Sequence, residues 1–184
     1  DMTSSRGLGD VYKRQLIDYR LDDFEKPELG HWSCYVLGVI EELRLLDLVS
    51  HGFDAVIDGN LNLGAGLSSS AALETATTLA LQSLFDFEMS RVDVATLCQR
   101  VEHRYANVMC GIMDQFASGL GRSNHALLLD CRTLSHVNIS TNLISTALRL
   151  SRARSNVSSH LPLTTTVVFS ARRVSRYSGS SIQR

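Results

Sequence analysis

Two glycines and three serines, Gly64, Gly66, Ser68, Ser69 and Ser70, stand directly against the helix-forming run Ala71-Ala72-Leu73. A helix N-terminus leaves backbone N–H groups unpaired and carries partial positive charge, so it attracts anions. Glycine lets a phosphate approach the backbone, and serine hydroxyls can bond phosphate oxygens or ligate Mg2+. A capped helix after a tight turn, with the serines satisfying only their own helix, explains the composition equally well. A nucleotide P-loop does not, because no lysine follows Lys26. A G-x-G-x-x-G dinucleotide fingerprint would need glycine where Ser69 stands.

Two acids further along favour the phosphate reading. Glu102 falls on a later helix, and Asp114 falls in the first turn of the one after it, where the helix dipole favours an ionised carboxylate. One carboxylate beside a Mg2+–nucleotide and another poised as a base are what phosphoryl transfer to an alcohol uses. Taken singly, each acid is better read as an ordinary helix residue. The loop gives the pair its meaning.

The elements that must position these residues are visible in the apolar spacing. Trp32, Tyr35, Val36, Val39, Ile40 and Leu43 share one helical face, and that helix is expected to end between Leu46 and Ser50. Phe53, Ala55 and Ile57 alternate with Asp54 and Asp58, which predicts a strand over 53–58 with one buried face. Leu73, Ala76, Ala80 and Leu84 predict a helix after the loop. Ser90 with Asp93 forms a variant capping box for a helix striped by Val94, Leu97, Cys98, Val101 and Tyr105. Ile112, Met113, Phe116, Ala117 and Leu120 predict a further helix closed by Gly119 and Gly121, and 125–130 a mostly buried strand. Mixed helices and strands indicate an α+β or α/β class.

Composition sets the limits. A chain of 184 residues that is 44% hydrophobic can bury a core. All 19 acidic residues lie at or before Asp130, whereas seven of the 18 basic residues lie between Arg149 and Arg184. The acid-free tail could be read as a nucleic-acid arm, but it has only Phe169 and Tyr177 as aromatics and no recognisable motif, so no nucleic-acid partner is expected. No apolar run reaches the about 18 residues of a membrane span, and no membrane partner is expected. Cys34, Cys98, Cys110 and Cys131 form no CxxC pair, which fits reduced thiols and a cytoplasmic setting.

The run "GNLNLGAGLSSSAALE" resembles the second motif of the GHMP small-molecule kinases, and "VEHRYANVMCGIMDQFASGLGRSNHALLLDCRTL" resembles the galactokinases among them. The resemblance covers about Ile17 to Asn142, including "GHWSCYVLGVI". It implies an α+β GHMP-kinase N-terminal domain of the ribosomal protein S5 domain 2-like type, and ATP-dependent phosphorylation of galactose at the anomeric hydroxyl. On this resemblance Gly64, Ala65, Gly66, Leu67, Ser68, Ser69 and Ser70 bind the ATP phosphates. Ser69 or Ser70, with Glu102, holds Mg2+, Asp114 is the catalytic base and touches the sugar, and Gly111 contacts the sugar through its backbone.

The departures are as informative. A motif of the form GRVNLIGEHTDY, supplying an arginine beside the base and the groups that grip the sugar, does not precede Leu16, and the glycine-rich motif GGGFGG is missing. Residues 1–15, with "GLGDVYKRQ" resembling translated adapter sequence, are expected to be a non-native leader. Residues 16–144 are expected to be a partial N-terminal domain, and 145–184 a disordered or frame-shifted tail. Little or no turnover is expected of this chain alone. A non-catalytic galactose- and ATP-binding regulator of the same family, or another GHMP sugar kinase, is the alternative; regulators of this kind lack two residues just after the loop serines, where this chain has Ala71 and Ala72.

Overall fold

The periodic run that follows Trp32 folds as helix α1, Ser33–Arg44, in the computed structural model, which describes residues 17–21, 24–59, 61 and 66–141. The leader over 1–15 and the tail over 145–184 lie outside the described residues, as do Gly64 and Ala65. Helix α1 stops earlier than the spacing predicts. Leu45 to Asp47 form a turn, with Asp47 at a left-handed φ of 58° and its N–H bonded to the Arg44 carbonyl. Arg44 sits in the last turn, where a cation suits the dipole, and grips Glu41 at 2.7 Å.

Helix α2, Ser69–Phe85, follows the glycine loop, and α3, Arg91–Val101, follows Ser90. Ser90 caps the helix: its hydroxyl accepts the Asp93 N–H at 3.1 Å and donates to the Asp93 carboxylate at 2.6 Å. Beyond Val101 the helix widens into a π-helical turn, Glu102–Ala106, that ends at left-handed Asn107. Helix α4, Met113–Leu120, starts after Ile112 and closes at Gly121. Strands β1, His125–Leu129, and β2, His136–Ser140, pair antiparallel with Leu127 opposite Asn138. The class is α+β.

Packing makes three layers of these elements. Helices α2 and α3 lie between α1 on one side and α4 on the other. On the α1 side, Val36, Val39, Ile40 and Leu43 meet Leu81 of α2 and Leu97, Val101 and Tyr105. On the other, Ala95 meets Ile112 and Phe116, with Leu127 and Leu129 of the hairpin packed against them. Each such large side chain, wholly buried, contributes about 1.5–3 kcal/mol. Helix α1 is more buried than an amphipathic stripe requires, since Glu41 and Glu42 are buried with its apolar residues.

Two expectations are corrected. Residues 53–58 form no strand; Phe53 and Ile57 pack against the α1 cluster, but Ala55 is exposed and Val56 is 60% exposed. An alternating segment becomes a strand only when a neighbour completes its ladder, and among the described residues the only pairing is β1 with β2. The strand at 125–130 forms but is not mostly buried, with Leu128 62% exposed. A two-stranded hairpin packs one face, so Leu127 and Leu129 turn inward while Ala126 and Leu128 face out.

Candidate active site

The loop delivers its serines to the start of α2. Gly66 takes a φ of +71°, a left-handed conformation that a side chain would strain, and Ser68 follows at +54°. Ser68 makes no side-chain cap bond, so its hydroxyl does not close the first turn in the way a capping serine would.

Ser70 reaches across to the π-turn. Its hydroxyl comes close enough to the carboxylate of Glu102, which is only 4% exposed, to hold that carboxyl's pKa down. Burial pushes the Glu102 carboxyl above the usual range, the Ser70 contact opposes this, and the negative charge of Asp114 pushes it further up. Asp114, half-buried in the first turn of α4, therefore lies within electrostatic reach of Glu102. The fold thus brings Ser70, Glu102 and Asp114 from three helical elements to one place. Ser69 lies beside Ser70 in the first turn of α2, and Leu67 and Ser68 just ahead of it.

The segment between the π-turn and α4 is pinned at Cys110. Its carbonyl accepts from Gln99 Nε2 at 3.2 Å and meets His103 Nε2 at 3.0 Å, while Gln115 Nε2 lies 3.6 Å from its sulfur. Gly111, next in line, is exposed and has open space where a Cβ would be. Its backbone is free to meet a ligand, and Gln99, His103 and Gln115 hold the strut that presents it.

Beneath the site is a group that the apolar patterns did not disclose. Glu74, one helical turn beyond Ser70, is wholly buried, and neither carboxylate oxygen has a hydrogen-bond partner. Burial, with the nearby charge of Glu102, pushes its carboxyl up to about 10, so it is a neutral acid at pH 7. Burial and Glu74 in turn push the Cys98 thiol up to about 12. The i,i+4 spacing of Ser70 and Glu74 was the available signal, because it puts both on one face of α2.

Few protein donors are available here for a divalent cation. Among the described residues no group of three or more His, Cys, Asp or Glu could hold a metal. Ser70 and Glu102 supply two hard oxygens side by side, which suits Mg2+ bound jointly with phosphates and water, not enclosed by protein.

The stretch that carries these residues is similar to known proteins. Residues 34–122 match the family described as GHMP kinases N terminal domain. A galactokinase from Bacillus subtilis (strain 168) is 42% identical over 129 residues, which is 70% of this chain and 33% of that protein. The crystal structure of Lactococcus lactis galactokinase complexed with galactose matches with a TM-score of 0.59 at 31% identity, covering 74% of this chain and 38% of the other. The chain spans about a third of the length of these relatives.

Proposed function

The chain belongs, through residues 34–122, to the GHMP kinase N-terminal domain family, and from that premise we propose that it supplies the phosphate loop, the metal ligand and the base of an ATP-dependent galactose kinase. The observation that carries this reading is the convergence of Ser70, Glu102 and Asp114 at the N-terminus of α2. Backbone N–H groups from Gly64 to Ser70 bind the ATP phosphates, aided by the positive end of α2. Ser70 or Ser69 and Glu102 hold Mg2+, which neutralises charge on the transferring phosphoryl group when bound.

Asp114 accepts the proton of the sugar's anomeric hydroxyl as that oxygen attacks the phosphoryl group, and the Gly111 backbone positions the sugar. The product is galactose 1-phosphate. Four cysteines with no disulfide among them suit the reducing cytoplasm in which such a kinase meets ATP.

A chimera tests this reading in a full-length setting. Residues 17–141 replace the matching stretch of the Bacillus subtilis galactokinase, and ADP release is followed with ATP, Mg2+ and galactose. Galactose-dependent ADP release is the expected outcome. A folded chimera that binds nucleotide but transfers no phosphate to galactose would show that these residues serve another acceptor or none.

A further inference from the structure

Helix α1 does not pack against α4, which carries Asp114, yet it grips the turn that carries Glu102. The carboxylate of Glu42, 4% exposed, accepts from Arg100 Nε at 3.1 Å, from Arg104 Nη1 at 2.9 Å and from the Tyr105 hydroxyl at 3.3 Å. Arg100 and Arg104 flank Glu102 two residues to either side, so they leave the helix on the flank opposite to it. One helical turn before Glu42, Gly38 lets α1 come so close that a Cβ there would lie 2.6 Å from Val101 and 2.9 Å from the Tyr105 ring. Both features bear on the same turn.

That turn needs holding. A π-helical turn is less stable than an α-helical one and recurs at functional sites. Here the Glu102 carbonyl accepts the N–H groups of Asn107 and, at 2.9 Å, Val108, where the chain leaves the helix. Its side chain is met from one side by Ser70. From the other side the backbone is fixed by Glu42 through Arg100, Arg104 and Tyr105. A buried carboxylate served by two guanidinium groups and a phenol is a directional clamp, because each donor must keep its geometry to compensate the desolvated charge.

We propose that Glu42 is a positioning residue for the cation site: the clamp on Arg100 and Arg104 sets the π-turn so that the Glu102 carboxylate faces Ser70 and a metal–phosphate group at the α2 N-terminus. The inference rests on the proposed phosphate and metal reading of that N-terminus. Groups that orient a metal ligand from behind commonly carry tenfold or more of the metal affinity.

The test uses the whole 184-residue chain and the imido analogue of ATP, whose affinity is measured by calorimetry with Mn2+ and with chelator. The ratio of the two affinities is the gain due to metal. In Glu42→Gln this gain should fall by about tenfold, while metal-free affinity and far-ultraviolet circular dichroism stay as in the unaltered chain. Arg104→Gln removes one arm at a largely exposed position and should lower the gain in the same direction by a smaller factor. It decides the matter if Glu42→Gln does not fold. An unchanged metal gain in the folded variants, with only a lower melting temperature, would reduce Glu42 to a structural role and overturn the inference alone. An unaltered chain that shows no metal gain would overturn the metal reading of Ser70 and Glu102, and the inference with it.

Discussion

The hydroxyl of Ser70, in the first turn of α2, lies close enough to the carboxylate of Glu102, at the start of the π-turn, to hold that carboxyl's pKa down. This contact joins the two elements on which the proposed phosphate and metal binding depends. It also defines where a third group must stand, and Asp114 is close enough to raise the Glu102 carboxyl.

Asp114→Asn, made in the Bacillus chimera, should lower the rate of galactose phosphorylation by about 10^2–10^4, the range of general-base effects, while leaving affinity for the imido analogue of ATP within about twofold. Steady-state ADP release and calorimetry read the two quantities separately. Normal turnover in this variant would remove Asp114 from the role of base.

Glu102→Gln keeps the shape of the side chain and a hydrogen-bond acceptor for Ser70 but removes the charge. In the same chimera the Mg2+ concentration for half-maximal rate should rise by at least about tenfold. An unchanged Mg2+ titration would take Glu102 out of the metal site.

Glu74 makes stability depend on pH with a definite sign. Its carboxyl titrates near the ordinary 4.5 when unfolded and is pushed up to about 10 in the fold. Between these values the folded state binds the extra proton, so stability is fullest below about 4.5 and is lost as pH rises toward 10. The slope from this one group is at most about 1.4 kcal/mol per pH unit. Urea unfolding at pH 5 and pH 8 should show the unaltered chain losing stability across that interval and Glu74→Gln losing less. Equal slopes in the two proteins would mean that Glu74 is ionised in the fold.

Gly38→Ala should destabilise the chain despite the better helix propensity of alanine, worth about 1 kcal/mol in the opposite direction. The added Cβ would meet Val101 at 2.6 Å, and overpacking of this kind costs about 1–3 kcal/mol. Thermal melting checks this. A melting temperature above that of the unaltered chain would show that α1 and α3 separate at little cost.

Local signals sufficed for most helices because each carries its own instructions. Ser90 caps α3 with its own side chain, and the spacing from Ile112 to Leu120 marks α4 with Asp114 in its first turn. The segment 53–58 shows the limit of such reading. Its alternation is genuine, but a strand is a relation between two segments, and β-pairing cannot be read from one of them.

What the sequence determined by itself was the set of candidate site residues and the local elements beneath them: the glycine–serine loop before α2, Glu102 at the end of a helix, and Asp114 at the start of another. Only the tertiary structure decided which of these meet. Ser70 and Glu102 lie far apart along the chain, and packing of α2 against α3, which runs on into the π-turn, brings them together. The same packing removed Glu74 and Glu42 from water, and burial altered their chemistry in opposite ways. Glu74, given no partner, holds a proton; Glu42, given two arginines and a tyrosine, became a clamp. Sequence spacing reports which residues share a face of one element, whereas desolvation and pairing depend on what another element places opposite that face.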